Sequence, residues 1–169
     1  TGNNYQISSA YAELSVSKKQ DLLLVRQGTN NKLIVLNAAN LDLHREVNVT
    51  GVEQAEFVNN DTELVIRDSS TSLTWFNIAQ ASTPIASLNI NEPIKLIASD
   101  PSGQFSAVLT TQNIYLVDNA NRNIVQKQAY KQSYVYGMSM LSNRVIITRS
   151  GAIDNIYFSN LVGSSIKLA

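Results

Sequence analysis

The 169-residue chain contains no cysteine and a single histidine, His44. The lack of cysteine excludes disulfides, thiolate zinc sites and cysteine nucleophiles. One histidine cannot build a histidine-rich zinc site, and the sequence has no Gly-x-Ser-x-Gly motif to supply a serine nucleophile. We therefore predict a non-enzymatic protein without catalytic residues, metal or cofactor. A hydrolase site near His44, which lies on a predicted outer strand, is the alternative.

Charged residues are scarce as well, at 15% of the chain, and 13 basic residues balance 13 acidic ones. Such a surface has no net field to attract nucleic acid or an anionic bilayer. No apolar run approaches the roughly 18 residues of a membrane-spanning helix. We expect protein partners, with no nucleic acid and no membrane insertion. The composition fits the cytoplasm and the periplasm equally well, so the localisation stays open.

The chain does contain a repeat of about 40 residues, a period typical of four-stranded propeller blades. Each repeat is recognised by three residues, two of them typical of β-strands and the third small and polar; we call these three residues the repeat mark. The polar residue recurs after 40, 41 and 42 positions. An aliphatic residue precedes the polar one by four positions each time. The four marks are Val35-Leu36-Asn37, Trp75-Phe76-Asn77, Leu116-Val117-Asp118 and Phe158-Ser159-Asn160, and the aliphatic residues are Leu33, Leu73, Ile114 and Ile156.

Strand signals dominate the whole chain, because short apolar runs alternate with clusters of Asn, Asp, Ser and Gly. No segment sustains the apolar period of a helix. We predict an all-β fold with four units at 10–49, 50–90, 91–130 and 131–169. Residues 1–9 would form a lead-in or an outer closing strand. The predicted strands are 10–17, 21–27, 32–37, 43–49, 52–58, 63–68, 72–78, 85–90, 94–99, 105–110, 113–118, 124–130, 134–141, 144–149, 155–159 and 164–168.

The turn Asp100-Pro101-Ser102-Gly103 before Phe105 supports this register, because Asp, Pro and Gly occupy the positions where each favours a tight turn. Together with the repeat marks, it resembles the WD-repeat class of β-propellers in a degenerate form. The chain departs from that class in having no Trp-Asp dipeptide and no Gly-His pair at the start of a unit. The resemblance implies a β-propeller-type array of four four-stranded antiparallel blades.

Ring closure is the open question of this array, because propellers carry four to eight blades and a sheet without a neighbour exposes an apolar face. A four-bladed ring would close on itself, with residues 5–7 adding an outermost strand to the last blade. Alternatively, two copies would complete an eight-bladed ring, or further blades would come from outside this stretch. We favour the two arrangements that complete a larger ring.

The best binding candidate is the tyrosine-rich junction between the third and fourth units, with Tyr130, Lys131, Tyr134 and Tyr136. Tyr134 and Tyr136 are expected to share one strand face. Tyrosine is enriched at interface anchors because it combines apolar area with a polar tip. The alternative is that these rings fill the space between two blades, as we expect of Trp75 and its neighbour Phe76.

The other predicted contact residues are Asn91 and Glu92, in a neighbouring loop of the same rim. The complete rim consists of the loops 28–31, 69–71, 89–92, 111–112, 130–134 and 150–154. Loops on rigid scaffolds commonly carry recognition. We therefore predict a protein–protein interaction scaffold; the alternative is a structural subunit of a larger secretion, envelope or trafficking assembly.

Two further groups of polar residues have local explanations. The residues that end the repeat marks (Asn37, Asn77, Asp118 and Asn160) are expected to start turns, because Asn and Asp side chains bond to nearby backbone. Asp61 and Glu63 have the carboxylates that calcium ions prefer as ligands. We do not predict a calcium site, because no loop of alternating oxygen ligands follows them.

Overall fold

The computed structural model describes residues 4–7, 12–27, 32–49, 51–68, 71–80, 83–158 and 166–168. Within these ranges all regular structure is β-strand. The strands are β1 Ala12–Val16, β2 Leu22–Gln27, β3 Lys32–Asn37, β4 Leu43–Asn48, β5 Val52–Val58, β6 Glu63–Asp68, β7 Ser72–Asn77, β8 Ala86–Asn89, β9 Ile94–Ser99, β10 Phe105–Thr110, β11 Asn113–Asp118, β12 Asn123–Ala129, β13 Val135–Leu141, β14 Arg144–Arg149, β15 Ala152–Phe158 and β16 Ile166–Leu168.

Consecutive strands pair antiparallel in four separate four-stranded sheets. Sheet 1 contains β1–β4, sheet 2 contains β5–β8, sheet 3 contains β9–β12 and sheet 4 contains β13–β16. The predicted all-β class and the grouping of strands in fours are therefore confirmed. Predicted and observed strand ends differ by at most two residues, except at the start of β15.

Neighbouring sheets pack face to face through buried apolar side chains. One cluster joins sheets 1 and 2, a second joins sheets 2 and 3, and a third joins sheets 3 and 4. Sheet 2 is consequently covered on both faces: Phe76 packs toward sheet 1 and Trp75 toward sheet 3, and both are buried. The predicted core role of these two rings is confirmed. Burial of one such side chain contributes roughly 1.5–3 kcal/mol.

Polar side chains add specific links between sheets at their inner strands and turns. Gln54 on β5 donates to the carbonyl of Ile97 on β9 at 2.6 Å and accepts from its N–H at 2.9 Å. Asp61, in the turn between β5 and β6, accepts the backbone N–H groups of Lys18 and Lys19 at 2.9 and 2.8 Å. These bonds connect sheet 2 to sheets 3 and 1.

The predicted register of the fourth unit is wrong by three residues. Across each second and third strand, Leu22 pairs with Asn37, Glu63 with Asn77, Phe105 with Asp118, and Arg144 with Tyr157. Tyr157 therefore stands where Asn160 was expected, and Ile153 stands where Ile156 was expected. The turn between β13 and β14 shortens this unit by two residues, because Met140 pairs with Val145 around residues 141–144 where Ser99 pairs with Ser106 around residues 100–105. The spacing after Asp118 is consequently shorter than the preceding one, whereas the prediction made it longer.

The turn-forming role of the polar repeat residues is confirmed for Asn37, Asn77 and Asp118. A side-chain oxygen of each accepts the backbone N–H two residues further on, at 2.9–3.0 Å. Asn160 lies outside the described residues. Asp100 also caps its own turn, because its carboxylate accepts the N–H of Phe105 at 2.8 Å and that of Ser102 at 3.1 Å.

The predicted closing strand at 5–7 does not form. Residues 4–7 have no strand conformation, and sheet 4 obtains its fourth strand from β16. Tyr5 instead packs against a small apolar cluster of Val25, Ile34 and Leu36 on sheet 1. That cluster lies on the face of sheet 1 that points away from sheet 2.

Candidate interaction surface

The two predicted contact segments precede edge strands of sheets 3 and 4. Asn91 and Glu92 precede β9, whereas residues 130–134 precede β13. The strands β9 and β13 lie side by side. Both segments therefore precede strands that are in contact between sheets 3 and 4. Of the other predicted rim loops, 28–31 and 69–70 lie outside the described residues.

Tyr130 is part of the core, because its side chain is only 5% exposed and packs in the cluster between sheets 3 and 4. Its backbone N–H donates to the carbonyl of Gln112 at 2.9 Å. This matches the alternative that its ring fills the space between two sheets. A residue in this position supports the surface without being part of it.

The hydroxyl group of Tyr130 takes part in a hydrogen-bonded network with Asp154 and Arg149. It donates to Oδ2 of Asp154 at 2.7 Å, and Arg149 donates to the same carboxylate at 2.7 and 3.2 Å. Burial, followed by the bond to Asp154, raises the pKa of Tyr130 well above its ordinary value. Hydrogen bonds from Arg149 and Tyr130 lower the pKa of Asp154. The network fixes the start of β15 beside the end of β12.

Glu92 has an equivalent structural role on the neighbouring sheet. Its carboxylate accepts hydrogen bonds from Thr110, from Asn113 at 2.7 Å and from the hydroxyl of Tyr115 at 2.6 Å, and Lys127 lies 3.6 Å away. Burial alone would raise the pKa of Glu92, but these hydrogen bonds outweigh it and lower the pKa below its ordinary value. The side chain therefore anchors the loop before β9.

Asn91 forms the exposed corner of the same loop. Its φ is 61°, a left-handed conformation that Asn tolerates better than most residues. Its backbone N–H donates to Oδ1 of Asn89 at 2.8 Å, and the hydroxyl of Thr71 donates to the same oxygen at 2.9 Å. Local hydrogen bonds therefore determine the shape of this corner.

Tyr134 and Tyr136 are the exposed aromatic residues of the rim, at 76% and 70% exposure. They do not share one strand as expected, because β13 begins at Val135 and Tyr134 precedes it with a φ of 57°. The carbonyl of Tyr134 accepts the N–H of Ser150 at 3.1 Å. Tyr136 is the extra residue of a β-bulge between Val135 and Gly137.

The bulge explains why Tyr136 points away from the core. Val135 and Met138 both pack on the cluster between sheets 3 and 4, although they are three positions apart. An uninterrupted strand would place them on opposite faces, so the inserted residue restores the alternation. Tyr136 is left on the opposite face. Lys131, Tyr134 and Tyr136, all exposed, form what we call the tyrosine patch.

Two residues outside the predicted contact set have environments that bear on the fold. Asn119 is fully buried between sheets 2 and 3, where it bonds to Trp75, Ser106 and Gly103. The signal that could have pointed to such a residue is Trp75, because a buried indole N–H needs an acceptor.

The second residue is Glu56, beside a cleft of about 250 Å³ between β1 and β5. Glu13, Arg26 and Gln54 also line this cleft. Burial is the main influence on Glu56 and raises the pKa of its carboxyl, with Lys18 and Gln54 opposing it in part. Sequence pattern gave no sign of this cleft, because it depends on how two sheets splay apart.

A larger cleft of about 520 Å³ lies at the opposite rim, between sheets 2 and 3. Its lining is polar and includes Asn59, Gln104 and the ion pair of Glu63 with Arg122. The guanidinium of Arg122 also lies 5.3 Å from the centre of the Trp75 ring. The carboxylate of Glu63 is therefore used in a salt bridge, and that of Asp61 binds backbone N–H groups.

Metal-ligating side chains are not grouped in the part of the chain that the structure describes. It contains no group of three or more His, Asp and Glu side chains that would hold a metal ion. His44 is exposed on β4, the outermost strand of sheet 1. No helix of sufficient length and apolarity to cross a membrane occurs among the described residues.

No family model matches the chain, and no curated protein matches it either. The candidate surface therefore depends on geometry alone.

Proposed function

We propose that this chain is a non-enzymatic scaffold for protein–protein interaction and that the tyrosine patch of Lys131, Tyr134 and Tyr136 is its contact surface. The observation that carries the proposal is the high exposure of two tyrosines on constrained backbone. A backbone that is held in place before binding loses less entropy when a partner arrives. Two aromatic rings beside one lysine suit a peptide with apolar and acidic side chains.

The proposed architecture is a β-propeller-type array whose blades are the four sheets. Three observations support it: the strands pair in chain order within each sheet, each sheet packs on the next, and the inner strands β5, β9 and β13 lie in sequence beside one another. In such an array the loops entering the inner strands are presented at one rim. This arrangement would place Asn91 beside the tyrosine patch.

The proposal is tested with peptides selected from a display library against the wild-type protein. Tyr134→Ala and Tyr136→Ala should each weaken binding of the selected acidic, apolar peptides about 10- to 30-fold, the range expected for an aromatic anchor. The midpoint of thermal unfolding should not change. Leu43→Ala is the matched control, since Leu43 is an exposed apolar residue on sheet 1, and it should leave binding intact.

Two results would contradict this role for the patch. One is peptide binding that survives both tyrosine substitutions, and the other is a loss of folding in both variants without a separable loss of binding. The hydrolase alternative stays a prediction with its own test, because His44→Ala would remove any hydrolysis that depended on that imidazole.

The structural-subunit alternative is favoured by a different observation, the exposed apolar residues of sheet 1. Leu14 and Val16 are 70% and 52% exposed on the face that points away from sheet 2. Large exposed apolar patches commonly mark sites of association. This face is separate from the tyrosine patch, so the chain would use one surface for assembly and another for recognition.

A further inference from the structure

Arg144 carries a guanidinium that is held in place on the outer side of sheet 4. Its Nη1 donates to the hydroxyl of Tyr157 at 2.8 Å, and its guanidinium carbon lies 5.5 Å from the centre of that ring. Val145, the next residue, is buried against sheet 3. Because successive residues of a strand point to opposite faces, Arg144 lies on the face of sheet 4 that points away from sheet 3, which we call the free face.

The other partly buried arginines all have a carboxylate partner. These salt bridges are Arg26 with Glu13, Arg67 with Glu53, Arg122 with Glu63, and Arg149 with Asp154. No acidic side chain among the described residues lies within salt-bridge distance of Arg144. A fixed guanidinium whose charge is not neutralised is a binding point for a carboxylate.

Apolar side chains flank a shallow depression on the same face. Gly137, Thr148 and Ile153 lie side by side across β13, β14 and β15. The floor is low because Gly137 has no side chain and the hydroxyl of Thr148 donates to its carbonyl at 3.3 Å. Ile153 is 66% exposed on one side, and the exposed ring of Tyr136 lies on the other. The strands β13 and β15 are about 10 Å apart, which leaves room for one apolar side chain between the two.

The charge of this unit favours an acidic partner. Residues 131–169 include four basic residues and one acidic residue, although the whole chain is neutral. The acidic residue, Asp154, is already bonded to Arg149 and Tyr130. Four basic residues are fewer than the roughly six to ten phosphate contacts of a protein that binds nucleic acid. An acidic polypeptide therefore suits this face better than a nucleic acid.

We propose that the free face of sheet 4 extends the tyrosine patch and binds an extended, acidic segment of a partner protein. Arg144 binds a carboxylate of this segment, and an apolar side chain lies between Tyr136 and Ile153. Thr148 and Arg144 are four positions apart on β14, or about 13 Å. Residues four positions apart in an extended peptide point to the same side, so the segment carries an apolar residue and, four positions away, Asp or Glu. This inference rests on the proposed function, because Tyr136 belongs to both surfaces.

The charged half is tested with two peptides, measured by fluorescence anisotropy. One is an acidic peptide selected on the wild-type protein, and the other is the same peptide with its Asp or Glu replaced by Asn or Gln. Arg144→Gln should weaken binding of the acidic peptide about 5- to 30-fold and should leave binding of its amide counterpart unchanged. Arg45→Gln is the matched control, since Arg45 is exposed on sheet 1, and it should change neither affinity.

The apolar half is tested with Ile153→Ala. This substitution should weaken binding of both peptides about 5- to 10-fold, because each retains the apolar side chain. The exposed Leu43 on sheet 1 provides the control, Leu43→Ala, which should have no effect. Ile153 is exposed, so this variant keeps the inference testable if Arg144→Gln does not fold.

Four outcomes would overturn the inference. Loss of peptide binding in Tyr134→Ala, but in neither Arg144→Gln nor Ile153→Ala, would leave the tyrosine patch in place and exclude this extension. An equal effect of Arg144→Gln on both peptides would mean that the guanidinium supports the sheet instead of binding a carboxylate. Tighter binding of a single-stranded oligothymidine than of the acidic peptide would make nucleic acid the ligand. A dimer of the wild type that the peptide dissociates would make a second copy the natural occupant.

Discussion

Trp75 donates its indole N–H to Oδ1 of Asn119 at 3.2 Å, and this bond joins sheet 2 to the turn that follows β11 in sheet 3. The amide of Asn119 also donates to the carbonyl of Gly103 at 3.1 Å and to the hydroxyl of Ser106 at 2.8 Å. All its side-chain bonds are formed inside the protein. A buried amide with complete bonding specifies one arrangement of the two sheets.

Replacement of Asn119 should therefore destabilise the protein strongly. We expect Asn119→Leu to lower the free energy of unfolding by about 2–4 kcal/mol, because the buried indole N–H of Trp75 would lose its acceptor and the buried hydroxyl of Ser106 would lose a hydrogen bond. Urea denaturation measures this change. Asn121→Ala is the control, since Asn121 is exposed and donates only to Asp118, and its effect should stay within about 0.5 kcal/mol. Equal effects of the two substitutions would contradict the argument.

The local features of the fold were predictable because their causes are local. Strand positions follow from the alternation of apolar runs and turn residues, and Asn37 or Asp100 bonds to backbone a few positions away. The fourth unit was displaced because the short turn at 142–143 removes two residues, and Ile153 and Ile156 satisfy the aliphatic pattern equally well. The sequence pattern therefore cannot decide whether Tyr157 or Asn160 is the counterpart of Asp118. The cross-strand pair of Arg144 with Tyr157 decides it in favour of Tyr157.

The parts that were not predictable depend on packing between distant segments. The sequence placed Tyr130, Tyr134 and Tyr136 in one group, but a backbone turn and a bulge send Tyr130 to the core and the other two to solvent. Asn119 was missed because its partners lie 13 to 44 positions away. Trp75 belongs to a different repeat unit, so no pattern within the unit of Asn119 identifies the bond between them.

The turn glycine Gly103 should tolerate no side chain. Its φ is 71°, and a Cβ atom added there would lie 2.8 Å from Cα of Val58 in sheet 2. Gly103→Ala should therefore force sheets 2 and 3 apart and cost about 2–4 kcal/mol of unfolding free energy.

Gly151 provides a matched control for Gly103. Its φ is nearly the same, 73°, but no atom lies within 4 Å of an added Cβ. Gly151→Ala should cost only about 1–2 kcal/mol, the penalty of the left-handed conformation itself. The difference between the two variants measures the close approach of the sheets. The two costs would be equal if backbone conformation alone mattered.

The network of Asp154 should make stability depend on acidity. Because hydrogen bonds from Arg149 and Tyr130 lower the pKa of Asp154 below its ordinary 3.8, its contribution is present above that pH and is lost as pH falls through the lower pKa of the folded state. Asp154→Asn should be less stable than wild type at pH 7, and the difference should vanish near pH 2. Thermal unfolding from pH 7 to pH 2 measures it. Arg149→Gln removes the partner of Asp154 and should therefore show the same dependence of stability on pH as Asp154→Asn. Different pH dependences of the two variants would refute this account.

Glu56 should show the opposite dependence, because burial raises the pKa of its carboxyl above the ordinary 4.5. Its contribution to stability is fully present below pH 4.5 and is lost as pH rises through the higher pKa of the folded state. Glu56→Gln cannot ionise, so it should gain stability over wild type as pH rises from 4 to 7. Glu13→Gln in the same cleft is the control: Glu13 pairs with Arg26 at 2.8 Å, so its loss should lower stability slightly at pH 7. A Glu56→Gln variant that is less stable than wild type at pH 7 would mean that attraction to Lys18 outweighs the cost of burying the charge.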